Sequence, residues 1–151
     1  MSNTMPASGD RLAVDLSLLA VRVVAGVIFA AHGAQKMFGA FDGPGLEKTV
    51  EMLGVLGYPV AIGEFFGGLG LIVGFLTRFS AASLIVIMLG AIQMVHGKNG
   101  FFLQNSGFEY NFALIGLLLP TFLAGPGNYS IGKYLPLPKS SRTGKLNAAV
   151  E

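Results

Sequence analysis

Cysteine is absent from the chain's 151 residues. That excludes structural disulfides, thiolate nucleophiles, CxxC redox chemistry, iron–sulfur ligation by this chain and covalent haem attachment. Charge is scarce as well: 12% of the residues are Asp, Glu, Lys or Arg, about half the roughly 25% usual in a soluble domain. A surface so poor in charge would aggregate in water but suits lipid. In place of charge stand 52% hydrophobic residues and 22 glycines, with a mean hydropathy of +0.64. The isoelectric point near 9.0 would suggest nucleic acid if the basic residues were clustered. They are spread through loops and the C-terminal tail, so membrane orientation accounts for them and nucleic acid is not an expected partner.

The hydrophobic residues fall into four windows, about 16–38, 54–75, 79–95 and 108–124. A hydrocarbon core about 30 Å thick takes roughly 20 helical residues to cross, and each window is close to that length. Arg11 ahead of the first run and the small residues after Phe29 could mark a signal peptide, but the run is longer than an h-region of about 7 to 15 residues. The expected fold is therefore an all-α membrane protein, a four-helix transmembrane bundle over 16–134 with tails at 1–15 and 135–151. Within the first outer loop, Phe41 to Gly45 reads as a turn. Leu46, Val50 and Leu53 then recur at helical spacing beside Glu47, Lys48 and Glu51, which predicts a short amphipathic helix along the outer surface.

Orientation follows from the basic residues. Four spans place Arg11, Arg78, Lys133, Lys139, Arg142 and Lys145 on one side, with Lys36, Lys48 and Lys98 on the other. By the positive-inside rule both termini are cytoplasmic. Arg22 and Arg78 are expected to hold the inner interface.

Small residues mark the packing faces. Gly63 and Gly67, then Gly70 and Gly74, sit four apart in the second window, and Gly26, Ala30 and Ala34 do the same in the first. In a bilayer such spacing lets backbones approach closely where no hydrophobic effect drives association. Glu64 shares the face of Gly67, Gly68 and Leu71, and Glu109 is in register with Ala113, Gly116 and Pro120, so both carboxylates are expected to point into the bundle. Depth converges too. His32, Gln35 and Lys36 end the first helix, Glu64 lies about 10 Å below the outer end of the second at 1.5 Å per residue, Gln93 and His96 end the third, and Glu109, Tyr110 and Asn111 begin the fourth. Ionisable groups at membrane depth cost at least about 2.5 to 3.5 kcal/mol and persist where they pair or work. Blander roles exist for several of them: snorkelling for Lys36, interfacial hydrogen bonding for the histidines, a helix-start cap for Glu109.

His32-Gly33-x-x-Lys36, Glu64 followed by Gly67-Gly68-Leu69-Gly70-Leu71, Gly74-Phe75-Leu76-Thr77-Arg78, Glu109-Tyr110, and Gly125-Pro126-Gly127-Asn128-Tyr129-Ser130 occur in that order. In these motifs the chain resembles the DoxX family of small bacterial membrane proteins, over about 16–134. The family often closes its last motif with an aspartate where this chain has Gly132. The resemblance implies a role in quinone-coupled oxidation of sulfur compounds such as thiosulfate, or as a membrane partner of redox enzymes, and it carries His32, Lys36, Glu64 and Glu109 over as site residues.

Three readings of function follow. The first is a redox subunit whose polar cluster holds a quinone headgroup or small anion, with Glu64, His32 and Glu109 as candidate catalytic groups and Lys36, Gln35, Gln93, His96 and Asn111 as candidate ligand-binding groups. The second is a non-catalytic anchor or assembly protein for a soluble oxidoreductase. The third, a proton or solute pathway, is disfavoured because only one half of the bundle is visibly polar. No covalently bound cofactor is expected, a quinone being the candidate ligand. No metal is expected either, since the di-iron bundle pattern needs Glu-x-x-His and neither histidine has Glu three residues before it. Expected partners are membrane lipid, a soluble or membrane oxidoreductase and further copies of the chain. The topology is directly testable: a reporter fused after Lys145 should be cytoplasmic and a tag at Asp42 accessible from outside, whereas the reverse would move the polar cluster to the inner leaflet.

Overall fold

The computed structural model of the protein describes residues 8–134; the first seven residues of the tail predicted at 1–15, and all of the tail predicted at 135–151, lie outside the described residues. The described residues are helical, with no strand among them. Helix α1 runs Ser8–Phe38, α2 Gly45–Leu53, α3 Gly57–Val73, α4 Thr77–Ala91 and α5 Glu109–Ala124. Helix α1 begins eight residues before the apolar window, inside the segment read as a tail. Nothing between Ser8 and Asp15 breaks a helix except Gly9, so the polar turns extend the apolar one.

Each break has a local cause. Helix α1 stops at Gly39, whose φ of 69° is left-handed, and α3 stops at Gly74, φ 77°, whose N–H returns to Gly70 O. Such conformations favour glycine, which has no Cβ to clash. Leu76 also adopts a left-handed φ of 47° between α3 and α4. Helix α4 ends in a π turn, Ile92–His96, followed by a loop that folds back so that Phe108 N donates to Gly100 O and Glu109 N to Phe101 O.

Helices α1, α3, α4 and α5 close a ring in which α1 packs on α3, α3 on α4, α4 on α5 and α5 on α1, while α2 lies across α1 and α3. The apolar core comprises Ala25, Phe29, Leu71, Ala81, Leu84, Met88, Leu114 and Leu118. The outside is apolar too. Between 22% and 28% of each long apolar helical window is buried, so most of its hydrophobic surface faces outward, as lipid requires and water forbids. Among the described residues three helical segments, Gly9–Phe38, Ala40–Val73 and Thr77–Asn99, are long and apolar enough to cross a membrane, and the apolar α5 is shorter.

The tightest seam joins α1 to α3. A Cβ built on Gly68 would lie 2.4 Å from Ala30 N and 2.7 Å from Gly26 O, and one on Gly33 would lie 2.2 Å from Phe65 N. Only glycine allows this approach. Gly63 and Gly67 face α4 instead, against Ile87 and Leu84, and Gly70 faces Ser80. The packing stripe expected on α5 is a correction: Ala113, Gly116 and Pro120 are exposed, and Asn111, Leu114, Leu118 and Thr121 are buried. Small size alone does not choose a face when larger side chains fill the groove better.

At the other end, Arg22 is 2% exposed, enclosed by the chain itself. Its guanidinium donates to Pro126 O at 3.0 Å and Tyr129 O at 2.5 Å. Arg78 donates to Leu123 O at 3.1 Å, and Asp15 accepts from Asn128 N and Nδ2 at 2.9 and 2.6 Å. These side chains serve carbonyl and amide groups left without intrahelical partners where α5 ends. Gly132 N donates to Gly74 O, and a Cβ at Gly132 would meet that oxygen at 2.9 Å, so the chain closes backbone to backbone here.

The glycine seam makes an internal comparison possible. Gly68→Leu should lower bundle stability by about 1 to 3 kcal/mol or more, as overpacking does, in thermal or detergent-titrated unfolding. Gly116→Ala, where an added Cβ meets nothing within 4 Å, should be neutral or slightly stabilising.

Candidate functional site

The α1–α3 seam delivers the last turn of α1 to the middle of α3. Lys36 Nζ donates to Glu64 Oε2 at 2.5 Å, with side-chain exposures of 24% and 4%. Glu64 belongs to the buried stripe of α3 formed with Gly57, Ala61, Gly68 and Leu71. A carboxylate held there without a partner would pay a desolvation penalty of several kcal/mol, which the ammonium offsets. Above the pair, Thr49 of α2 is 1% exposed and donates to Gly45 O at 2.7 Å. Leu46, Val50 and Leu53 are half-buried while Glu47, Lys48 and Glu51 are exposed, so α2 roofs the pair with its apolar face.

Beside the pair lies a cavity of about 810 Å³, bordered by His32, Lys36, Glu64, His96, Tyr110 and Asn111 among mainly apolar side chains from α2, α3, α4 and α5. Its size and lining, apolar with a few convergent polar groups, are those of a small-molecule site. Asn111 is 6% exposed, and its Nδ2 donates to Met88 Sδ at 3.4 Å, a weak acceptor. His96 Nδ1 lies 2.8 Å from Ser106 O. A carbonyl can only accept, so that nitrogen carries the proton and fixes the ring at the foot of the loop. His32 stands against Tyr110 with ring centroids 6.2 Å apart. The two rings also border a second pocket of about 390 Å³, lined by Val27, Ile28, Ala31, Gln35 and Phe41.

The structure thus gathers Glu64, Lys36, His32, His96 and Asn111 of the residues singled out from sequence. Gln35 borders the smaller pocket instead. Gln93 is exposed and lines neither cavity, because Ile87, Gly90, Ala91 and Met94 form the cavity face at three- and four-residue spacing and Gln93 falls off it. Glu109 is also apart from the main cavity: its Oε2 accepts from Leu103 N at 2.9 Å, which uses the carboxylate to hold the loop before α5. Sequence reasoning counted Tyr110 among the outer polar groups without making it a site residue. Its signal was position, one residue before Asn111 at the start of α5.

A helical membrane protein with a buried ion pair beside an apolar cavity is the class that this fold and site define. More particularly, the chain belongs to the DoxX family, whose model matches residues 17–97, from α1 through the π turn. The Escherichia coli (strain K12) protein named "Inner membrane protein YqjF" is 30% identical over 124 residues, covering 80% of this chain and 93% of its own. The Bacillus subtilis (strain 168) protein named "Putative oxidoreductase CatD" is 30% identical over 111 residues, covering 70% of this chain and 78% of its own. No solved structure matches the chain.

Coupling within the pair has a measurable consequence. Lys36→Met leaves Glu64 as an uncompensated buried charge and should cost roughly 3 kcal/mol, the lower end of the range for broken buried pairs because Lys36 is partly exposed. Lys36→Met combined with Glu64→Gln removes both charges and should recover most of that stability in a double-variant unfolding cycle.

Proposed function

We propose that this chain is the membrane subunit of a quinone-linked redox system, with the cavity beside Glu64 and Lys36 as the headgroup site. In this reading α1, α3, α4 and α5 all span the bacterial cytoplasmic membrane. Both termini are cytoplasmic, α2 lies along the outer surface, and the cavity sits in the outer leaflet. The observation that carries it is a buried, paired carboxylate in the wall of a cavity large enough for a ring system. A pair serving packing alone would be closed on every side.

The residues fit the headgroup of a quinone. The Lys36 ammonium and the Asn111 amide, now held by a weak acceptor, offer donors to carbonyl oxygens from two sides of the cavity. Apolar walls such as Phe29, Val60 and Leu114 exclude water and accept a ring face. When bound, a quinone supplies a two-electron, two-proton acceptor. Glu64 and His32 are the groups in the wall able to hold or pass protons. Electrons come from a partner oxidoreductase acting on a reduced donor, for which a sulfur compound such as thiosulfate is the proposed class. That the Bacillus subtilis relative carries the name of an oxidoreductase supports the redox reading.

Glu64→Gln tests the proposal because it keeps shape and removes charge. The variant should insert and fold, yet bind a tailless benzoquinone at least tenfold more weakly than the native chain in a detergent-solubilised titration. Equal binding by both proteins would make the pair structural and favour the alternative of a non-catalytic membrane anchor for a soluble oxidoreductase.

A further inference from the structure

We infer that the site is filled from the lipid phase through a cleft between α3 and α4, and that its ligand carries a long apolar tail lying in that cleft. The inference rests on the headgroup reading above and adds the class of ligand and its route. Helices α3 and α4 are not parallel in their closeness. Below Gly63 they interlock, with Gly63, Gly67 and Gly70 receiving Ile87, Leu84 and Ser80. Above it the cavity is lined by Leu56, just ahead of α3, with Pro59 and Val60 of α3 on one side, and by Gly90 and Ala91 of α4 with Met94 of the π turn on the other. A Cβ on Gly90 would meet nothing within 4 Å, so no side chain fills this gap.

The opening is lateral rather than only upward. Val86 borders the cavity and is 67% exposed, as Met94 is at 56% and Leu56 at 46%. Residues that both line a cavity and remain exposed mark its mouth. Ile87 meets Gly63 across the hairpin, so Val86, one residue before it, is level with Glu64 at the foot of the cleft, and the mouth reaches the depth of the carboxylate. A mouth at that depth opens on hydrocarbon, not water. Its walls are aliphatic side chains and a glycine, which offer a free ionic solute no partner. An isoprenoid or alkyl chain gains at each buried methylene instead. The polar end then meets Lys36, Glu64 and Asn111 while the tail leaves past Gly90 and Val86. The smaller pocket between α1 and α5 is a poorer route because neither Glu64 nor Lys36 lines it.

Gly90→Phe places a ring in the cleft and leaves Glu64 and Lys36 untouched. Binding should be compared for two benzoquinones with the same headgroup, one tailless and one bearing a long isoprenoid tail, on the full chain in nanodiscs. The variant should lose at least tenfold for the tailed compound and less than twofold for the tailless one. Equal affinity of the variant and native chain for the tailed compound overturns the route. Failure of the tailless compound to bind the native chain overturns the headgroup reading, and this inference with it. A tail-borne photoactivatable diazirine gives a second readout that needs no variant. Labelling should fall within 86–94 and 56–60, and labelling at Val27, Ile28 or Phe41 would assign the tail to the other pocket and refute the cleft.

Discussion

The close backbone approach of α1 and α3 is the contact on which the rest of the molecule depends. With Gly68 against Ala30 and Gly26, and Gly33 against Phe65, the two helices meet with no side chain between them at these points. In lipid this closeness is itself the source of association, since the bilayer gives apolar side chains no reason to leave it. The seam also sets the electrostatics. By holding the end of α1 against the middle of α3 it brings the Lys36 ammonium to the Glu64 carboxylate, and neither charge could stay buried at low cost alone.

The two ends of the bundle are built on opposite principles. At the Arg22 end, arginine and aspartate side chains are consumed by backbone groups around the turn after α5, and the α3–α4 hairpin is interlocked through its glycines. Polar groups here are spent on closing the fold. At the Glu64 end the same hairpin lines the cavity, α4 ends in a π turn, and α2 packs over α1 and α3. π turns within helices occur frequently at functional sites. Here the turn ends at His96, which borders the cavity. One end is rigid, and the other holds space.

Much of this was legible in the residues. A shortage of charge and long apolar windows mark a helical membrane protein, because each follows from the cost of unpaired backbone and charge in hydrocarbon and needs no knowledge of neighbours. The motifs around His32, Glu64 and Gly125 pointed to the family that the comparisons identify. Glu64 stood out as a buried ionisable group on its face of the helix, and the structure places it there. The amphipathic face of Leu46, Val50 and Leu53 was readable from spacing alone.

What the residues could not decide was which neighbour each face meets. Ala113, Gly116 and Pro120 look like a packing stripe by size, yet they are exposed, because the groove is filled by Leu114 and Leu118. Glu109 looks like a second buried carboxylate, and a backbone amide six residues earlier in the loop takes it. Gln93 sits near the outer end of its helix but falls off the face of Ile87, Gly90, Ala91 and Met94 that lines the cavity. Local composition determined the solvent, the helices and the candidate ionisable groups, since those depend on transfer and hydrogen-bond costs paid within one segment. Only the tertiary structure decided that Lys36 pairs with Glu64 and that α3 and α4 part above Gly63, because pairing and empty space are relations between segments set by how their surfaces interlock.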